Sequence, residues 1–331
     1  MNADPANLKV ASERKQSGIL FSVARQTNSE RLYLGAADAK VYSLDVGAKD
    51  SQAAEFVGHT SYVTGVALAG RFLVSGSYDG DLIWWDRDSG ELVGRVAAHS
   101  RGIRRVISSP DGRYVISVAD DMRCRIWDVE RARLVRDLHG HEQVTPHHFP
   151  SMLYACAVSA DGQYLATGDR TGKNIVWDLH NGRQLAVVET PVMYTWDPVQ
   201  RIHSIGGVRS LAFSPDSRLL AVGGMGKVGN IDHLGGLARV EIFDWQAGQR
   251  THEFPGETHK GLVEQLAFHP TGKWLLAAGG DHKGFIQFFD LNAGKVLKQD
   301  KAPMHVHDFT LNEVADTIYA AGHGRIVVWT L

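Results

Sequence analysis

A twelve-residue pattern ending in Trp-Asp recurs along this chain, and a recurrence of this kind constrains the fold more than any single motif can. "SGSYDGDLIWWD" (75–86) and "SVADDMRCRIWD" (117–128) align without gaps, and "ATGDRTGKNIVWD" (166–178) keeps the ending. Weaker copies are "KVYSLD" (40–45), "RVEIFD" (239–244), "FIQFFD" (285–290) and "RIVVWTL" (325–331). The terminal Asp or its equivalent falls near 45, 86, 128, 178, 244, 290 and 330, which predicts seven units. The gaps are 41, 42, 50, 66, 46 and 40 residues, so the fourth and fifth units carry insertions. A second landmark lies upstream: "GHTSYV" (58–63), "AHSRGI" (98–103) and "THKGLV" (258–263) each place a branched apolar residue four after His. "GHEQV" (140–144) carries the same Gly-His, but "LYACAV" further on is the better strand. A third is a turn between apolar runs, as in "SSPDGRYVIS", "VSADGQYLAT", "FSPDSRLLAV" and "FHPTGKWLLA". Turn formers flanked by alternating hydrophobics mark hairpins, so the chain reads as all-β.

These residues resemble the WD-repeat family of β-propellers, with Gly-His near the start of each unit, Trp-Asp at its end and about 40–45 residues between. The resemblance covers nearly the whole chain and implies one domain, residues 1–331: a seven-bladed β-propeller of four-stranded antiparallel blades. One blade has two apolar faces and cannot fold alone, whereas stacking in a closed ring buries both. The last unit stops at its third strand, so "NLKVA" (7–11) is expected to pair with "RIVVW" and close the ring. The family's buried tetrad carries over as His59, Asp79 and Trp85 with Ser75 or Ser77, and as His99, Asp121 and Trp127 with Ser117. A Ser-His-Asp set that recurs from blade to blade is a structural network, not a catalytic triad. Thr171, Lys283 and His323 stand where the Asp is expected in the fourth, sixth and seventh units, and Leu44, Phe243 and Phe289 replace Trp. Those blades are expected to rely more on packing than on the polar network.

Composition narrows the function. A formal charge of −2 offers no footprint for nucleic acid or an anionic membrane. Two cysteines, Cys124 and Cys156, cannot build a disulfide framework or a cysteine zinc site. No stretch has signal-peptide character or approaches the ~20 apolar residues of a membrane span, so a cytoplasmic protein is expected. "GGMGKVGN" (223–230) is a G-x-G-x-x-G with Asp244 twenty residues after Gly224. A dinucleotide site needs those glycines between a parallel strand and a helix. Here a hairpin precedes them, a strand follows, and Asp244 is the terminal Asp of the fifth repeat, so the stretch reads as a loop.

In a four-stranded meander, the b–c turns and the d–a connections share one face. Three long insertions belong there: 141–154, 190–207 and 223–238. Long insertions on a rigid scaffold point to function, with Tyr194, Trp196 and His233 as candidate contacts. Around the channel mouth, position selects Tyr62, Tyr78, Arg104, Asp120, Arg170, Arg209, Glu264 and His282; related propellers commonly bind peptides there. The reading is a non-catalytic scaffold, monomeric as a propeller, that docks an unknown protein or peptide without cofactor or metal. The alternative is a propeller-based enzyme or metal-binding protein using His139, His141, His147, His148, His203, His233, His305, His307 and His323.

Overall fold

A computed structural model describes residues 3–199 and 201–331. Nearly all regular structure is β. The first strands are β1 (Lys9–Arg25), β2 (Arg31–Ala36), β3 (Lys40–Asp45) and β4 (Ala54–Val57). Next come β5 (Val63–Ala69), β6 (Phe72–Ser77), β7 (Asp81–Asp86) and β8 (Leu92–Ala97). The third group is β9 (Ile103–Ser108), β10 (Tyr114–Ala119), β11 (Cys124–Asp128) and β12 (Arg133–Leu138). The fourth is β13 (Leu153–Val158), β14 (Tyr164–Asp169), β15 (Lys173–Asp178) and β16 (Gln184–Glu189). A short ribbon, β17 (Tyr194–Asp197) and β18 (His203–Gly206), precedes β19 (Ser210–Phe213), β20 (Leu219–Met225), β21 (Ala238–Asp244) and β22 (Gln249–Phe254). The chain continues through β23 (Leu262–Phe268), β24 (Leu275–Gly280), β25 (Gly284–Asp290) and β26 (Lys295–Ala302) to β27 (Val306–Leu311) and β28 (Thr317–Thr330).

Five of the sheets are four-stranded and meander in sequence order, each built from one such group. Seven blades are expected from the repeat, but six sheets of four or more strands are found among the described residues. The cause is strand length. β1 runs for 17 residues and β28 for 14, so each serves two partners and the first and last repeats merge into a six-stranded sheet ordered β27-β28-β1-β2-β3-β4. The first half of β1 pairs antiparallel with the end of β28, from Lys9↔Thr330 and Val10↔Trp329 to Lys15↔Arg325. Its second half, Leu20 to Arg25, pairs with β2.

The chain groups into two compact units: Met1–Ala119 with Arg125–Asp137 and Val306–Leu331, and Asp120–Cys124 with Leu138–His305. Within each, the core lies between consecutive sheets. In the first unit, Val74, Leu82 and Trp84 of one sheet pack with Ile103, Val115 and Trp127 of the next. Trp84 and Trp127 meet edge to face with centroids 6.5 Å apart. In the second unit, Val176 and Val188 pack against Leu211, Val222 and Phe243. Side chains alternate across a strand, so a sheet covered on both faces has central strands apolar at every position. β6 and β10 are buried throughout, whereas β8 is partly or fully exposed along its length. Among the described residues, no helix is long and apolar enough to cross a membrane.

Candidate protein-docking site

The recurring polar residues form structural networks. Trp85 Nε1 donates to Ser75 Oγ at 2.8 Å, Ser75 Oγ lies 2.8 Å from His59 Nε2, and His59 Nδ1 lies 3.1 Å from Asp79 Oδ2. An indole can only donate, so the serine hydroxyl accepts from it and donates its own hydrogen bond to Nε2, and the neutral imidazole donates from Nδ1 to the carboxylate. Ser75 is therefore the tetrad hydroxyl; Ser77 donates instead to Ser61 O at 3.0 Å. In the next sheet, His99 Nε2 lies 2.7 Å from Ser117 Oγ, which accepts from Trp127 Nε1 at 2.9 Å. Arg125 Nη1 reaches His99 Nδ1 at 3.2 Å, and Asp121 Oδ1 accepts from Arg123 N at 3.1 Å.

A third network was missed by the spacing rule. His141 Nδ1 lies 2.7 Å from Asp169 Oδ2, His141 Nε2 lies 2.8 Å from Thr167 Oγ1, and Trp177 Nε1 donates to that hydroxyl at 2.9 Å. The expectation that the fourth unit relies more on packing than on the polar network is corrected: its acid is Asp169, two residues before Thr171, which donates to it at 2.7 Å. Asp169 stands eight residues before Trp177, where Asp79 stands six before Trp85.

Burial holds the His59 imidazole below its ordinary 6.5, against the pull of Asp79. For Asp79, burial pushes upward, but the Thr60 and Asp81 N–H groups and His59 outweigh it and hold the carboxyl below 3.8. A histidine whose folded pKa is depressed takes up protons on unfolding, so stability rises with pH across that window. Its contribution is complete above pH 6.5 and declines as pH falls below that value. Asp79 adds a further loss only at much lower pH. The melting temperature is therefore expected to fall between about pH 7.5 and 5.5, and His59→Gln to flatten that fall. Identical slopes for the two proteins would contradict the assignment.

The insertions of the second unit pack on one another. The 190–207 segment folds into the β17–β18 ribbon, with Trp196 opposite Ser204. His147 from the 141–154 segment stacks on Trp196 at 4.2 Å with planes 9° apart, and its Nδ1 lies 3.0 Å from Tyr194 Oη. Phe149 meets Trp196 at 5.5 Å and His203 at 5.2 Å. The third insertion joins through Thr195 Oγ1, which accepts from Val228 N at 3.1 Å, and through Arg201 Nε, which donates to Asp232 at 2.9 Å. The strands run further than expected, to Met225↔Ala238, so the connecting loop is 226–237. A Cβ on Gly224 would stand 2.7 Å from Gly207 O and 2.8 Å from Met193 Sδ. That glycine permits close packing between insertions, which is its role in place of a phosphate.

The candidate contact residues divide by environment. Arg170 is buried, with its guanidinium donating to Ser204 O and to Pro150 O. Arg209 lies 3.5 Å from the Tyr154 ring centroid and donates to Gly206 O at 3.1 Å. Tyr194 and Trp196 are half-buried in the stack, and Asp120 is buried. Glu264 faces His305 at 3.5 Å, His282 lies exposed beside Asp281, and His233 is exposed.

In the first unit a different surface emerges. Tyr62 is 52% exposed and Tyr78 40%. Their rings lie 6.5 Å apart, and Phe21 lies 5.7 Å from Tyr62. The Arg104 guanidinium sits 4.9 Å over the Tyr78 ring, with Nη2 donating to its hydroxyl at 3.2 Å. His307 borders Phe21 at 5.2 Å and His323 at 4.8 Å. His307 and His323 are candidates from the sequence as metal ligands, whereas Phe21, on β1, is brought beside Tyr62 and His307 by the fold and carries no sequence signal.

Meandering antiparallel sheets tied by recurring His–Ser/Thr–Trp networks define a repeat protein of the β-propeller class. The WD domain, G-beta repeat, matches residues 50–86, 90–128, 133–178, 196–228 and 248–287, and the chain belongs to that family. It is similar to nuclear distribution protein PAC1-2 of Uncinocarpus reesii, with 32% identity over 174 residues, 48% of this chain and 35% of that one. Telomerase protein component 1 of Mus musculus is 26% identical over 266 residues, 79% of this chain and 9% of the relative. The U3 small nucleolar RNA-associated protein 21 homolog of Schizosaccharomyces pombe is 29% identical over 191 residues, 57% of this chain and 19% of the relative. The chain thus spans a minor part of each relative's length.

Proposed function

We propose that this protein is a non-catalytic interaction scaffold that docks a protein or peptide through Tyr62, Tyr78 and Arg104. The observation that carries this reading is the exposure of two neighbouring tyrosines, one of them held by a stacked arginine. Tyr and Arg dominate interface hot spots because they bring large, rigid, amphipathic surface at low entropic cost. A residue needed only for packing would be covered, as Trp84 is. The His59 and His141 sets, which offer the residue types of a catalytic triad, are engaged in buried structural networks. Relatives named as a telomerase protein component and a small nucleolar RNA-associated protein are named for assemblies, not reactions, which favours the same reading.

The scaffold is read as a single seven-bladed propeller in which the six-stranded sheet works as two blades. In support, the β1–β28 pairing shifts register between Lys15 and Ile19, and the β1–β2 pairing begins at Leu20. The N-terminal strand then closes the ring without a covalent link.

The test is capture of partners by chemical crosslinking in cells that express the protein, comparing it with a Tyr62→Ala, Tyr78→Ala double variant. Partner recovery is expected to fall at least about tenfold, the ~1.4 kcal/mol of a modest hot spot. Both side chains are exposed, so the melting temperature is expected to stay within a few degrees. Equal recovery from a folded double variant would remove this surface from the site.

A further inference from the structure

The second unit holds a cleft of about 330 Å³ that none of the contacts above uses. Its apolar part is Phe254 and Phe289, whose rings meet at 4.6 Å. Gln287, only 4% exposed, lines it and donates from Nε2 to Gln299 Oε1 at 3.1 Å. Among the described residues, the Gln287 carbonyl and the Gln299 amide N–H groups make no further side-chain hydrogen bond. Gln287 is buried and Gln299 exposed, so the pair is open from the solvent side to a ligand with one N–H and one C=O in register. A peptide unit carries that pair of groups.

The cleft borders β26, the last strand in its sheet order, whose outer edge has no strand partner. At eight residues β26 is also longer than the other outer strands, and its Val296 and Leu297 are 40% and 42% exposed. An exposed edge of this kind is a template for an added strand. Lysines commonly guard such edges, and here Lys295, Lys298 and Lys301 select for charge, with Lys298 met by Asp300 at 3.1 Å. Glu257 stands on the cleft rim with Lys295.

We infer that this cleft and the β26 edge bind an extended segment of a partner protein. One apolar side chain of the segment sits on Phe254 and Phe289, its peptide unit meets Gln287 and Gln299, and acidic residues follow along the lysines. Glu253 and Glu257, which also line the cleft, keep the acidic run out of the cleft itself and on the β26 side. This site stands independently of the docking role of Tyr62 and Tyr78.

The test is selection of a displayed library of random twelve-residue peptides on the intact protein, followed by anisotropy titration of synthetic winners. Winners are expected to pair an apolar residue with a following acidic run. Their affinity is expected to fall at least about tenfold on Lys295→Glu and on Gln299→Ala, and to be unchanged on Tyr78→Ala. Lys295 is a surface residue, so its variant keeps the test valid if Gln299→Ala unfolds the sheet. No winners, or winners indifferent to Lys295→Glu, would overturn the inference. Self-association of the protein that Lys295→Glu abolishes would assign the edge to a second copy and equally overturn it.

Discussion

Removing residues 1–15 is expected to lower the melting temperature sharply and to make the protein aggregate on heating. The lost segment covers six registered pairs, from Lys9↔Thr330 to Lys15↔Arg325. Most of its side chains are exposed, so its contribution is less apolar burial than hydrogen bonding. Backbone bonds are worth about 0.5–1.5 kcal/mol each net, which puts the loss on the order of 3 kcal/mol after the segment regains its freedom. Side chains add to it: Arg14 donates to the carbonyls of Asp45, Ala48 and Lys49, and Glu13 pairs with Arg325. The deletion also bares the edge of β28, whose Val327, Val328 and Trp329 form an apolar run with an open backbone. Scanning calorimetry and light scattering measure both effects. An unchanged transition would refute the structural role of this pairing.

Asp169→Ala is expected to be more damaging than any loss at Thr171. The Asp169 carboxylate accepts from His141 Nδ1 at 2.7 Å, Thr171 N at 2.8 Å, Thr171 Oγ1 at 2.7 Å and Lys173 N at 3.2 Å. Side chains of Asp169 and His141 are each 2% exposed, so water cannot replace the bonds without opening the sheet. Each orphaned buried group costs about 1–3 kcal/mol, and a total of roughly 3–5 kcal/mol follows for the substitution. Thr171→Val removes one bond from an acceptor that keeps three, and is expected to cost about 1 kcal/mol. Urea denaturation of the two variants separates them. Equal losses would mean that Thr171, not Asp169, anchors the network.

Repetition makes the strand groups, the His59–Ser75–Trp85–Asp79 network and the His99–Ser117–Trp127 contacts legible, because the same residues recur wherever the same sheet is built. Where a unit keeps the chemistry but shifts its spacing, the rule fails. A six-residue spacing before Trp177 points to Thr171, while the acid itself, Asp169, stands two residues earlier. The merging of the first and last repeats was hidden for another reason. "SERKQSG" (12–18) has no apolar alternation, since the strand there is largely exposed and held by its ladder bonds. The insertions were placed by their length, but their mutual packing rests on pairs such as His147 with Trp196, which no local period encodes. Position alone singles out Tyr62, Tyr78 and Arg104 in the sequence, and their ring contacts supply a chemistry that position does not encode.

The docking claim is tested most directly by placing a photo-crosslinking amino acid at position 78 and, separately, at position 93 on the outer strand β8. Tyr78 and Val93 are 40% and 51% exposed, so both probes reach solvent. The account predicts a discrete crosslinked partner from position 78 and none from position 93. No partner at position 78, or the same partner at both, would contradict it.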